Sequence, residues 1–316
     1  MAERRILVFM VALFAAPVFV AWFEMDVVTA CLLVLALLLV RWLITLSGIL
    51  APERTDDIVL STISVSHFVE KVRWPMDRLG IPYVEKVSGG TLGAYFTGRS
   101  VPQLKVKTGI VRSVIGNSSD ILRYLYGRCL ADGAERTAFL APTAERAALE
   151  RKLDRYGVNL QVWVYWHLLD HRALTVRAWG ANSPRTPAWQ RPLLRALFPL
   201  LAFMIRKSFR VTPGNYERVV REIEALLAEV DAQLADGRRS ILGDDEPNYT
   251  DLQFAAFTGL WLMPAGYGGG RAEDVRIESA SAPEAMRSDL HRWRAAYERA
   301  VDYVQCLYAN RKDGVS

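Results

Sequence analysis

The chain has 316 residues, enough for two domains or for one domain with an appendage, and 51% of them are hydrophobic, with a mean hydropathy of +0.10. The formal charge of +5 suits an anionic surface or anionic ligands, but it is not gathered into a Lys/Arg run and carries no zinc-finger or RNA-binding signature, so nucleic acid is excluded as a partner. Three widely spaced cysteines (Cys31, Cys129 and Cys306) exclude a disulfide framework and fit a reducing compartment.

The apolar excess sits at the front. Ile6 to Phe23 runs eighteen residues without a charge, and Val27 to Leu50 runs twenty-four interrupted only by Arg41. Each run has the length of a membrane-crossing helix, and Glu24-Met25-Asp26 between them is short enough for a tight hairpin. A cleaved leader fits Arg4-Arg5 and the first run, yet no small-x-small site follows. A single span with the other run lying in the interface is the remaining alternative. The expectation is two transmembrane helices over 1–52, with Arg41 snorkelling to the headgroups. Arg4 and Arg5 before the first span and no basic residue in the connector orient the hairpin, so that everything after residue 50 faces the cytoplasm.

Ala51 to Asp57 reads as a polar linker, with Pro52 to stop the preceding helix. Ile58-Val59-Leu60 is a short strand. Ser66 to Leu79 places Phe68, Val72, Met76 and Leu79 at helical spacing, with Gly80 to close the helix. Pro82-Tyr83-Val84 begins a second strand. Gln103–Lys107 and Ile110–Val114 read as a hairpin around Thr108-Gly109, and Ser118 to Tyr126 returns to helical spacing. This is the order of a thioredoxin-like domain.

The second half reads as helical. Thr143 is an N-cap with Glu145 in the first turn, opening a helix toward residue 172. Val219 to Leu234 keeps one apolar face, closed by Gly237. Asn248 and Asp251 are spaced as a capping box ahead of a buried helix through Phe254, Phe257 and Leu260. Ala282 to Ala309 is read as one last helix, and Gly266 to Gly270 as a flexible loop.

Three motifs recur in order: Ser66-His67-Phe68-Val69-Glu70-Lys71-Val72-Arg73-Trp74, then Ser100-Val101-Pro102-Gln103-Leu104, then Gly116-Asn117-Ser118-Ser119-Asp120. Together they resemble the thiol-binding half of the glutathione S-transferase superfamily. Gly243-Asp244, the Asn248–Asp251 box and Leu252-Gln253-Phe254-Ala255-Ala256 are similar to the helical half. The resemblance covers most of residues 57–310. It implies a thioredoxin-like glutathione-binding domain over 53–130 and an all-helical domain over 138–316. Glutathione would be the co-substrate, with an apolar electrophile as the other small-molecule partner and no metal; the resemblance suggests a homodimer.

The resemblance puts Ser66 where zeta-like members carry a catalytic serine and omega-like members a cysteine. Val101 is similar to the backbone anchor of the glutathione cysteinyl unit, and Asn117-Ser118 takes the place of the acid-Ser pair that holds the γ-glutamyl group. The glutathione contacts so implied are His67, Val101, Pro102, Asn117 and Ser118. The physical logic is that of an anion site. Unpaired N–H groups at a helix start stabilise a thiolate, and a serine hydroxyl adds one hydrogen bond. A cis Val101-Pro102 peptide would turn the Val101 backbone toward a peptide-like ligand. Arg99 or Gln103 is a candidate for a second carboxylate. Two departures stand out: Asn117 replaces the usual acid, and Pro75 sits inside the first helix, at a cost of roughly 3 kcal/mol unless accommodated. They favour the alternative function, a non-catalytic interaction or scaffold protein of the same fold at the membrane.

Plainer readings stand beside these. Ser66 alone is equally an N-cap, and His67 a solvated first-turn side chain. His167 and His171 share a helical face as in some zinc sites, but no third ligand is evident. Trp163, Tyr165 and Trp166 are either core or the wall of an apolar pocket. Leu193 to Ile205 is either an internal helix or a surface resting on a bilayer.

Overall fold

In this computed structural model the described residues are 26–50, 58–90, 92, 101–108 and 111–311. The chain forms two compact units, Met1–Asp56 and Asp57–Ser316.

In the first unit, Val27–Leu50 is a helix (α1), started by Asp26, whose carboxylate accepts the Val28 and Thr29 amides at 2.9 and 3.0 Å. Among the described residues no helix is long and apolar enough to cross a membrane. This corrects the two-span membrane localisation and the cytoplasm-facing orientation built on it. The Ile6–Phe23 run lies outside the described residues.

The second unit opens with a four-stranded sheet in the order β2-β1-β3-β4, formed by β1 (Ile58–Thr62), β2 (Val84–Val87), β3 (Gln103–Thr108) and β4 (Val111–Ile115). β1 pairs parallel to β2 with Val59 opposite Val84, and antiparallel to β3 with Leu60 opposite Leu104. The parallel pair needs a crossover, and α2 (His67–Arg78) supplies it. Gly80, at φ +63°, follows the helix in the left-handed conformation that glycine adopts without a Cβ penalty. α3 (Ser118–Cys129) completes the thioredoxin-like order. It is capped by Asn117, whose Oδ1 accepts the Ser119 amide at 2.9 Å, so the cap falls one residue earlier than Ser118. Gly109 and Ile110 of the expected hairpin lie outside the described residues.

The helical part comprises α4 (Ala144–Leu168), α5 (Arg172–Ala178), α6 (Gln190–Ala196), α7 (Phe198–Ser208), α8 (Pro213–Gln233), α9 (Tyr249–Leu262), α10 (Glu284–Ala296) and α11 (Glu298–Ala309). Thr143 caps α4 by accepting the Arg146 amide at 3.1 Å. Both arms of the capping box form: Asn248 accepts at its side chain, and its own amide donates to Asp251 Oδ2 at 2.8 Å. Burial pushes the Asp251 carboxyl up, against the pull of the hydrogen bonds it accepts. The expected single helix over Ala282–Ala309 is two, broken at Tyr297 (φ −129°, ψ 52°). Asp231 of α8 explains why the break is tolerated: its carboxylate accepts the Ala300 amide at 3.0 Å, an orphan donor of the new first turn. The Leu193–Ile205 stretch also divides, with Pro199 in the first turn of α7. Leu194, Leu201, Ala202 and Ile205 are buried beside Trp179 and Phe198, while Leu200 and Phe203 face outward.

α2 packs against α3 and α9 as well as the sheet, so almost every one of its residues is buried, charged ones included. Lys71 Nζ donates to Ser119 Oγ (2.9 Å), Glu150 (3.1 Å) and Asp154 (2.9 Å). Glu70 accepts from Arg73 (3.1 Å), Tyr308 OH (3.2 Å), the Gly268 amide (3.0 Å) and Arg311. Pro75 is accommodated inside this helix, and the Leu79 amide still reaches its carbonyl at 2.9 Å.

Candidate functional site

The β1–α2 corner is held from both sides. The Ser66 amide donates to the Ile63 carbonyl at 3.0 Å, and Tyr267 OH donates to the Val65 carbonyl at 3.1 Å. Tyr267 lies in the Gly266–Gly270 segment expected to be flexible. The segment instead forms a helical turn, with Tyr267 buried and the Gly268 amide on Glu70. Ser66 is the N-cap of α2: its Oγ accepts the Val69 amide at a long 3.4 Å. That bond uses an oxygen lone pair and leaves the hydroxyl hydrogen available to an anion. The first-turn N–H groups of α2 supply the partial positive charge that favours one.

His67 is buried rather than solvated. Its ring lies 4.6 Å from Phe68 and 4.9 Å from Phe257, centroid to centroid. Burial pushes its pKa down to about 4, only partly offset by the Gly157 carbonyl 2.9 Å from Nε2. His67 is therefore neutral near pH 7 and donates Nε2–H to that carbonyl. It brings no positive charge to a ligand.

Ser66 and His67 line a cavity of about 310 Å³ together with Val101, and the Val101–Pro102 peptide is cis as expected. The walls are mostly apolar and come from distant parts of the chain: Val164 and Tyr165 of α4, Trp179 and Phe209, Met263 after α9, and Met286 and Leu290 of α10. Trp179 approaches so closely that a Cβ on Gly90 would sit 2.9 Å from its side chain, and Gly90 also lies at φ +47°. Only glycine meets both demands there.

The cavity brings together Ser66, His67 and Val101 and leaves Pro102, Asn117 and Ser118 off its lining. Pro102 and Ser118 are buried, and Asn117 is exposed with its side chain engaged on Ser119. Gln103 is buried at the start of β3, and Arg99 lies outside the described residues. Of the aromatic stripe, Tyr165 lines the cavity. Trp163 is core against Trp293 at 4.9 Å, and Trp166 stacks on Tyr216 at 4.8 Å. The sequence places Leu290 on the apolar face of the last helix without marking it as a site residue, and gives no sign of Met286 or Arg294, although their spacing of four residues puts all three on one helical face.

Among the described residues no group of three or more His, Cys, Asp or Glu side chains is placed to hold a metal. His167 engages Asp289 at 3.2 Å, and His171 is exposed at the start of α5.

Residues 213–306 match the glutathione S-transferase C-terminal domain family. No curated protein matches the chain. Solved structures with a similar fold include a glutathione S-transferase from Methylobacterium radiotolerans in complex with glutathione sulfonate, at 16% identity over 82% of this chain and 96% of that one, TM-score 0.46. A glutathione S-transferase from Rhodospirillum rubrum shows 15% identity over 81% and 89%, TM-score 0.46. A theta class enzyme from Xanthomonas axonopodis pv. citri with glutathione bound shows 20% identity over 78% and 98%, TM-score 0.40. At these scores the likenesses carry no weight for activity. The family match is confined to residues 213–306, which follow a sheet domain of thioredoxin-like order.

Proposed function

We propose that the chain is a glutathione S-transferase-like protein whose 53–130 part binds glutathione and whose 138–316 part holds an apolar electrophile. The observation that carries this is the shared cavity: Ser66 at a helix start and Val101 beside an X-Pro bond open onto the same apolar space as Tyr165, Met286 and Leu290. The Ser66 hydroxyl donates to the glutathione sulfur, and the α2 amides lower the thiol pKa and raise its thiolate fraction. The thiolate attacks the electrophilic carbon, and the electron pair of the broken bond leaves with the displaced group or settles on the acceptor. Attack needs sulfur and carbon roughly 3–3.5 Å apart; a cavity continuous with the Ser66 corner supports that approach.

Neutral His67 is excluded as a cationic partner for the thiolate, so the serine and the helix start carry the stabilisation. Calorimetric titration of the full chain with glutathione should saturate at millimolar ligand; a featureless titration would remove the proposal. Ser66→Ala should leave glutathione affinity nearly intact and reduce conjugation about 10²-fold or more, in the range of a single lost anion donor. Equal turnover in the variant would take Ser66 out of the mechanism. Glutathione binding without turnover on a broad electrophile panel would favour the non-catalytic reading, to which the Asn117 replacement points.

A further inference from the structure

The cavity wall carries two guanidinium groups, Arg276 and Arg294, and no Asp or Glu. Arg276 has a carboxylate neighbour, Glu273 at 3.6 Å. Among the described residues Arg294 has none within ion-pair distance, and its hydrogen bonding there is a long 3.5 Å contact to the Leu262 carbonyl. A guanidinium offers five N–H donors, so most of those on Arg294 are unspent on the protein. Met286, Leu290 and Arg294 stand four residues apart on α10 and line the same cavity. At roughly 1.5 Å per residue they cover about 12 Å of helix, two apolar positions followed by one cation.

We infer that the second substrate is an amphipathic anion: an apolar aryl or acyl body along Met286 and Leu290, ending in a carboxylate or sulfonate that Arg294 receives. This rests on the cavity being the acceptor pocket of the proposed transferase. Arg294 is exposed where it lines the cavity, so the anionic end meets the cation at a solvent-accessible edge, where the bond is charge-assisted and can be bidentate. A neutral apolar compound of the same shape forgoes that bond and leaves the guanidinium to water. The neutral ring of His67 and the apolar walls add no competing charge.

The test needs no glutathione. Fluorescence titration of the full chain with anilinonaphthalene sulfonate and with its uncharged counterpart phenylnaphthylamine compares two probes of one shape. The sulfonate should bind several-fold more tightly. Arg294→Gln should weaken sulfonate binding roughly ten-fold, as for loss of one charge-assisted bond, while phenylnaphthylamine binding stays constant. Arg294→Lys should keep part of the sulfonate preference, which separates a lost charge from a damaged fold. Equal affinity of the two probes for the unaltered chain, or equal losses for both in Arg294→Gln, would overturn the inference. Because no thiol takes part, a chain that conjugates neutral electrophiles but lacks the sulfonate preference fails here alone. One that prefers the sulfonate but binds no glutathione fails the transferase proposal instead.

Discussion

Replacing Glu70 by alanine should cost about 3–5 kcal/mol of stability. The Glu70 side chain is 0% exposed and faces two guanidinium groups, Arg73 at 3.1 Å and Arg311. It also receives the Tyr308 hydroxyl and the Gly268 amide. Alanine leaves those donors buried with their best acceptor gone. Arg73 keeps Glu85 at 2.6 Å, and Arg311 keeps Asp77 at 2.9 Å, so the remaining network holds part of the charge. Burying ions is costly, and a pair of this kind need not outperform an apolar core. Breaking it is the expensive step. Urea denaturation followed by tryptophan fluorescence reads the loss directly, and Glu70→Gln, which keeps two acceptor sites fewer and no charge, should fall between. A loss under about 1 kcal/mol for Glu70→Ala would mean that the network relaxes or admits water.

The second large effect is at Asp289, where α4, α8 and α10 meet. Its carboxylate accepts from Trp163 Nε1 (2.8 Å), Tyr216 OH (2.8 Å) and His167 Nε2 (3.2 Å), and pairs with Arg292 at 2.8 Å. Burial alone would raise its pKa; the hydrogen bonds and the Arg292 charge win and bring it from the ordinary 3.8 down to about 2. A depressed folded-state value means that the ionised form stabilises the fold. The contribution is fully present above the unfolded value near 4 and is lost as pH falls from there through about 2. A shift of this size corresponds to about 2 kcal/mol. Asp289→Asn should lose about that much at neutral pH and flatten the stability curve between pH about 4 and 2. Stability curves that run parallel for the two proteins across that window would contradict the assignment.

Much of the sheet domain was legible. Ile58 to Leu60, the apolar stripe of Phe68, Val72 and Met76, and the paired runs around Thr108 each signal through a local period, which survives folding because one face stays against the core. Caps were legible for the same reason: Thr143 and Asn248 act on amides two or three residues away. The charges of α2 were not. Glu70, Lys71, Arg73 and Asp77 sit between the stripe positions, where charge carries no local sign of burial, yet they are buried because sheet and helices enclose α2. Their partners lie as far off as Arg311, 241 positions along the chain from Glu70, and no local pattern carries that distance.

The candidate site divides the same way. Ser66 and Val101 stood out because motifs flank them, while the rest of the cavity lining gathers Trp179, Met263 and Arg294, which no motif joins. The break at Tyr297 escaped notice because the carboxylate that compensates it belongs to Asp231, on another helix. At the front of the chain, hydropathy alone drew two spans; among the described residues no helix meets the length and apolarity that crossing requires.

The decisive measurement is the ionisation of glutathione bound to the full chain, followed by thiolate ultraviolet absorbance as pH is raised. With Ser66 and the α2 amides on the sulfur, the bound thiol should ionise at least one pH unit below a free thiol, whose pKa is about 8.5. Ser66→Ala should return most of that difference. A bound thiol that titrates like free glutathione, in a protein that still binds the peptide, would show that this corner holds no sulfur anion.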